Sequence, residues 1–287
     1  MYTEEKADTV GSSALFLCLP WTDCTRGISF WGIIQPTVSL VSMYIDFSSL
    51  FHASSKDISD KGRVNIPRDV KTWPVEWTTV SHKSYGNLPK LLLSRGDRKT
   101  DFFEVLKKRH SSRTFSGKPL SKDILSDLLL YSCGTTGRET GGVYGRTYPS
   151  GGGRFPIEIY PIVFIGDADT PAGLYHYNVR EHALDVLWQR PFSKSEIDRM
   201  FVYEWVQNSS VALVMTAVFA RNQVKYGERG YRYVLIEAGH IGENVYLTAE
   251  ALGLNCCGMA GTRDEYVERL LDIDGVTESV VHSVILG

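Results

Sequence analysis

Arg109-His110-Ser111-Ser112-Arg113-Thr114-Phe115 puts two guanidiniums, an imidazole and two hydroxyls into its first five positions. That density of anion donors points to a phosphate, because Arg offers a planar fork to phosphate oxygens and Ser adds a neutral donor. The alternative is that Lys107, Lys108 and Arg109 only complement the C-terminal end of the preceding helix, read over Asp101–His110. Two downstream stretches favour the site.

Pro149-Ser150-Gly151-Gly152-Gly153-Arg154-Phe155-Pro156 leads into the apolar Ile157-Glu158-Ile159-Tyr160. Its three glycines let the backbone approach a flat ligand, since no Cβ intrudes. Lys225-Tyr226-Gly227-Glu228-Arg229-Gly230-Tyr231-Arg232-Tyr233 opens a long helix that carries Glu237-Ala238-Gly239-His240. In this order the three segments resemble the nitroreductase family of flavoenzymes. Within it they are most similar to the SagB-type branch, the azoline oxidases of thiazole- and oxazole-containing peptide pathways. The resemblance covers residues 100–287, with a weaker echo at Phe51-His52-Ala53-Ser54-Ser55-Lys56.

The resemblance implies an α+β, nitroreductase-like FMN fold, with a central mixed or antiparallel sheet flanked by helices in a domain-intertwined homodimer. Residues 1–99 are then an N-terminal arm, partly irregular, and 100–287 the FMN-binding domain. Arg109 and Ser111 are expected at the phosphate and ribityl tail, with His110 beside them. Arg113 is expected at the pyrimidine edge, where it would stabilise a reduced, anionic flavin. Pro149, Ser150, Gly151 and Gly152 suit the ring face, which the family's equivalent segment reaches from the other subunit. Cys257-Gly258-Met259-Ala260-Gly261 resembles the late strand and loop whose backbone amides lie by the ring. Many relatives add an Arg or Lys just past the last strand. The sequence given stops at Gly287, so either it ends before that cation or Arg109 and another basic residue carry the phosphate.

Lys225-Tyr226 resembles the Lys-Tyr pair of azoline oxidases. The implied reaction removes a proton α to a carbonyl and passes a hydride from the neighbouring carbon to the flavin. A Lys beside cations, here Arg229 and Arg232, has a lowered pKa and can act as a base; Tyr226 can relay the proton. Outside this motif, Lys225 would read as a solvated lysine and Tyr226 as packing. His240 could line the site, and Trp205 is expected in the core.

Three functions follow. The first is dehydrogenation of thiazoline or oxazoline rings on a heterocyclised peptide or a small-molecule substrate, with a cyclodehydratase as a further partner. The second is a nicotinamide-driven nitro- or quinone reductase. The third is a flavin-free scaffold that binds a precursor peptide for a cyclodehydratase.

Composition is that of an ordinary globular protein, 43% hydrophobic and 22% charged over 287 residues. A net charge of −2 gives no general attraction to nucleic acid or anionic membranes. Cys18, Cys24, Cys133, Cys256 and Cys257 fit no zinc spacing, and buried free thiols are expected, with no metal. Leu15–Leu19 is apolar but short, Pro20 ends it, and the acidic Glu4, Glu5 and Asp8 precede it. No signal peptide or membrane span is indicated, and a cytoplasmic protein is expected.

Residues 1–50 show no helical period. Pro67, Pro74 and Pro89 forbid a long helix over 55–100, which reads as an arm wrapping a neighbouring surface. Trp73, Trp77 and Tyr85 weigh against the alternative of a disordered leader. Beyond it, Ser121 can cap a helix that ends near Gly134. Strands are expected over Tyr160–Ile165 and Val211–Val218, a hairpin over Leu174–Tyr177 and Ala183–Leu187, and a last strand over Glu278–Leu286. The long helix is expected over Tyr231–Leu252, and capping boxes at Ser193/Glu196 and Thr262/Glu265.

Overall fold

A computed structural model describes residues 50–51, 67, 69–79, 82–140 and 143–287. The expectations for residues 1–49, including Cys18 and Cys24, and most of the 51–56 echo lie outside them. Among the described residues nine strands form: β1 (Lys90–Leu92), β2 (Thr135–Thr140), β3 (Val143–Arg146), β4 (Ile157–Val163), β5 (Gly173–Asn178), β6 (Ala183–Gln189), β7 (Val211–Val218), β8 (Cys256–Met259) and β9 (Glu278–Leu286). Seven of them form one sheet in the order β1-β6-β5-β4-β7-β9-β8, and β2 and β3 form a separate ribbon. Every pairing is antiparallel.

The helices are α1 (Val75–Thr78), α2 (Phe102–Lys108), α3 (Lys122–Cys133), α4 (Lys194–Met200), α5 (Ala220–Tyr226), α6 (Arg229–Ala251) and α7 (Asp264–Leu271). The continuous apolar run of β7 needs cover on both faces, because strand side chains alternate. Val211, Leu213, Met215 and Ala217 pack with Leu125, Leu128 and Leu129 of α3 and Val234, Ala238, Ile241 and Val245 of α6. Ala212 and Val214 pack on the other face with Ile197 and Met200 of α4 and Val267 and Leu271 of α7. Each such buried Leu or Ile is worth about 1.5–3 kcal/mol.

Local signals explain most boundaries. Ser121 Oγ accepts from Ile124 N, starting α3, and Gly134 follows its end. Ser193 and Glu196 form the expected capping box at α4. Gly253, with φ +70°, follows α6. The hairpin forms as β5 and β6, while β4 begins at Ile157 rather than Tyr160.

Two expectations fail. Lys225 and Tyr226 do not open the long helix. They end α5, because Gly227 adopts φ +55° and the chain restarts as α6 at Arg229. Thr262 does not cap α7 either. Arg263 holds the cap position without a side-chain bond, and Thr262 Oγ1 lies 3.1 Å from Ser283 Oγ instead.

Described residues upstream of 100 pack on this body. β1 pairs with β6 at the sheet edge, and the Trp77 indole N–H donates to the Val224 carbonyl at 3.1 Å. Among the described residues no helix is long and apolar enough to cross a membrane.

Candidate functional site

The 109–115 loop is positioned from both ends. Upstream, Asp101 Oδ1 accepts from the amides of Phe103 and Glu104 and starts α2, which ends at Arg109. Downstream, Ser112 N donates to the Cys256 carbonyl at 2.9 Å, and Asn255 Nδ2 donates to the Thr114 carbonyl at 2.8 Å. The loop therefore lies along β8, the edge strand.

Tyr246 of α6 joins loop to strand. Its hydroxyl accepts from Gly258 N at 2.5 Å and lies 3.0 Å from Ser111 Oγ. The Arg109 guanidinium sits 5.3 Å from the centre of the Tyr246 ring, and its Nε is 3.5 Å from Glu243. His110 Nδ1 lies 3.0 Å from the Lys108 carbonyl and 3.7 Å from Glu250. Arg113 is exposed. Met259 is buried, Ala260 is exposed, and the Gly261 carbonyl accepts from Val202 N at 2.9 Å.

The second group is built on the glycine turn. Ser150 Oγ donates to Glu237 Oε2 at 2.6 Å and accepts from Phe155 N at 2.9 Å, tying the turn to α6. Gly151 packs on the Tyr233 ring, and Gly152, at φ +67°, packs on the Tyr226 hydroxyl. Pro149 precedes this turn on the surface. Burial pushes the Glu237 carboxyl up to about 8, against the Ser150 hydrogen bond.

Arg154 organises the surroundings of Lys225 and Tyr226. Its guanidinium donates to the carbonyls of Glu76, Trp77, Thr79 and Arg221 at 2.7–2.9 Å, clamping residues 76–79 against α5. Trp73 is thereby brought over Lys225, whose Nζ lies 3.5 Å from the ring centre. Lys225 is 3% exposed, and among the described residues no carboxylate pairs with it. Burial, then the Arg154 charge, lowers its pKa. Arg229 and Arg232, the cations expected to do this, are placed elsewhere: Arg229 Nε donates to the Tyr233 hydroxyl, and Arg232 lies over Phe51.

The structure thus brings Arg109, His110 and Ser111 to β8, and places Ser150 on Glu237, Gly151 on Tyr233 and Gly152 on Tyr226. It does not bring the two groups together within one chain. Tyr233 and Tyr246, which touch one group each, are roughly 20 Å apart along α6 and about 140° apart around it. His240 is exposed. Trp205 is partly buried and packs with Phe115 against the core on the α4–α7 side of the sheet, with its ring stacked on the exposed Tyr203. Sequence reasoning missed Tyr246, Glu237 and Trp73 as site residues.

The first group suits a flavin mononucleotide. Arg109 lies over the Tyr246 ring with a 3.5 Å contact to Glu243, and Ser111, whose hydroxyl is 3.0 Å from that of Tyr246, is exposed. Among the described residues no cluster of His, Cys, Asp and Glu could hold a metal ion.

The sequence matches the nitroreductase family over residues 106–287. MJ1384 of Methanocaldococcus jannaschii, named as a nitroreductase, is 33% identical over 175 residues, 59% of this chain and 83% of that protein. Trifolitoxin-processing protein TfxB of Rhizobium leguminosarum bv. trifolii is 33% identical over 175 residues, 58% of this chain and 47% of that protein. Microcin B17-processing protein McbC of Escherichia coli is 31% identical over 139 residues, 45% of this chain and 49% of that protein. The chain spans about half the length that either processing protein has. A chain of the E. coli microcin synthetase McbBCD complex, solved with truncated pro-MccB17 bound, shares the fold. It has a TM-score of 0.53 and 21% identity, covering 84% of this chain and 91% of that one. These likenesses agree with the SagB-type resemblance of the motifs. On its antiparallel sheet, its loop along β8 and its match over residues 106–287, the chain belongs to the nitroreductase family.

Proposed function

We propose that the chain is an FMN-dependent oxidoreductase that dehydrogenates thiazoline or oxazoline rings to thiazoles or oxazoles in a maturing peptide. The carrying observation is Lys225: a buried ammonium over Trp73, held by α5 against the Tyr226–Gly152 contact. Burial makes its neutral form accessible, so it can take the proton α to the carbonyl, with Tyr226, whose ring centre lies 5.5 Å from Lys225 Nζ, as a relay. FMN supplies the two-electron acceptor. Arg109 and Ser111 would hold its phosphate end and Arg113 its pyrimidine edge, while the Gly258–Gly261 backbone borders the ring. The similarity to two toxin-processing proteins supports a peptide substrate, and the McbBCD neighbour supports a synthetase partner.

A second copy would complete the site. Gly151 and Gly152 lie too far along α6 from Arg109 to share one flavin with it inside one chain, but a homodimer can bring the turn of one subunit to β8 of the other. Phe102, Phe103 and Leu106 on α2 and Leu235 and Ile236 on α6 expose apolar surface, which a second copy would cover.

A nicotinamide-driven nitro- or quinone reductase is the second reading, and the MJ1384 match over 83% of that protein favours it. The test is to purify the chain, record its absorbance for bound flavin, and incubate it with an azoline-bearing peptide. Loss of two hydrogens by mass spectrometry supports the first reading. Flavin without ring oxidation, but with fast NAD(P)H turnover on a nitroaromatic, supports the second.

A further inference from the structure

Away from both groups, a cavity of about 380 Å³ opens between the β2–β3 ribbon, the β5–β6 turn and the segment after β1. It is lined by His82, Arg95, Thr135, Gly137, Tyr144, Arg146 and Arg180. Three guanidiniums and no carboxylate face it. In a chain of net charge −2, this local excess has no source in overall composition.

The surroundings do not neutralise it. Among the described residues, Arg95 and Arg180 form no ion pair. The Arg146 guanidinium lies 5.0 Å from the Phe155 ring centre, its Nη2 is 3.4 Å from His82 Nδ1, and its Nη1 is buried without a hydrogen-bond partner. A buried unpaired donor is costly and needs an explanation. Burial and the Arg146 charge keep His82 below its usual pKa, so its neutral ring can accept from Arg146 and orient it. The smaller hollow that adjoins the cavity contains one carboxylate, Glu158, which is already engaged by Arg221 at 2.6 Å and His176 at 2.9 Å.

We propose that this cavity is a second anion site, which binds a phosphate dianion, free or carried on a small molecule. A phosphate has three terminal oxygens for Arg95, Arg146 and Arg180, and the Thr135 and Tyr144 hydroxyls supply neutral donors; a carboxylate offers only two oxygens. The volume falls in the range of small-molecule pockets, roughly 300–1,000 Å³. None of these residues belongs to the group at Arg109, so the site stands independently of the flavin reading.

The test is calorimetric titration of the full chain, carrying its bound FMN and freed of excess flavin, by inorganic phosphate, adenosine monophosphate and acetate at fixed ionic strength. Saturable binding of a phosphate probe is expected. It should weaken at least tenfold in Arg95→Gln/Arg180→Gln and stay unchanged in Arg109→Gln. Both replaced arginines are exposed, so the variant should fold, and Arg180→Gln alone serves as a second variant. Tighter binding of the nucleotide than of inorganic phosphate identifies a carried phosphate, and equal binding the free ion. No saturable heat, equal affinity for acetate, or the same loss in Arg109→Gln would overturn the proposal.

Discussion

The Tyr226 hydroxyl lies over Gly152 so closely that a Cβ on that glycine would approach it to less than 3.0 Å. This contact joins two sequence motifs, the glycine turn and the Lys-Tyr pair, that lie 74 residues apart in the chain. Gly152 also adopts φ +67°, which an L side chain rarely tolerates. Gly152→Ala should therefore destabilise the fold by about 1–3 kcal/mol from backbone strain alone, beyond the displacement of Tyr226. Gly151→Ala, whose Cβ would meet Tyr233 at 3.3 Å, should cost less. Urea unfolding of the two variants checks the order, and equal stability of Gly152→Ala and wild type would refute the contact.

Flavin retention should depend on Arg109. Losing a hydrogen bond to a charged phosphate costs about 1.5–3 kcal/mol, or roughly 10- to 150-fold in affinity. Arg109→Gln should purify with much less flavin than wild type, read as the ratio of flavin to protein absorbance. Full occupancy would place the phosphate elsewhere.

A dimer is expected from the 20 Å separation along α6. Light scattering of the flavin-bound protein should give twice the monomer mass of 32.2 kDa. Replacing Ile236, which is 54% exposed on α6, with Asp should shift the protein to monomer and lower flavin content together. A monomer with flavin fully bound would remove the shared-site reading.

Glu237 links folding to pH. Its folded pKa of about 8 lies above the ordinary carboxylate value, so the folded state holds a proton that the unfolded chain releases. The stability this contributes is complete below the unfolded pKa and is lost as pH rises through about 8, by on the order of 1 kcal/mol per pH unit. Glu237→Gln removes the titration. Wild type minus Glu237→Gln should fall in stability from pH 5 to 8, measured by chemical denaturation. A pH-independent difference would show that Glu237 is ionised in the folded protein.

What the sequence disclosed and what it concealed divide along contact range. Strand β7, the Ser121 cap and the Ser193–Glu196 box are set by neighbours within a few residues, and all three were legible. Gly227 was not read as a break, because a glycine at helical spacing is compatible with a continuing helix until its φ is known. Tyr246 looks like any helical tyrosine, yet its hydroxyl meets Ser111 and Gly258, residues brought together only by the sheet edge. Lys225 stands out in the sequence, but its neighbours there point to the wrong cations. Arg229 and Arg232 are near in sequence, whereas the burial and the Arg154 charge that lower its pKa come from tertiary packing.

That packing gives the last prediction its form. Lys225 is buried under Trp73, so truncation to Ala would leave a cavity and confuse folding with chemistry. Lys225→Met keeps an unbranched stem of similar length and removes only the amine. If Lys225 is the base, the variant should retain flavin, dimer and melting temperature while azoline oxidation falls by about 10²–10⁴-fold. Flavin reduction by dithionite should persist, since it needs no base. The pH profile separates a catalytic amine from a merely structural one. A base works deprotonated, so wild-type kcat/KM should rise with pH through a pKa below the ordinary lysine value, and the residual activity of Lys225→Met should lack that limb. Tyr226→Phe should lower the rate less, because the amine remains. Unchanged azoline oxidation in Lys225→Met would sink the base assignment. If NAD(P)H turnover on a nitroaromatic were also fast and unaffected by the substitution, the reductase reading would take its place.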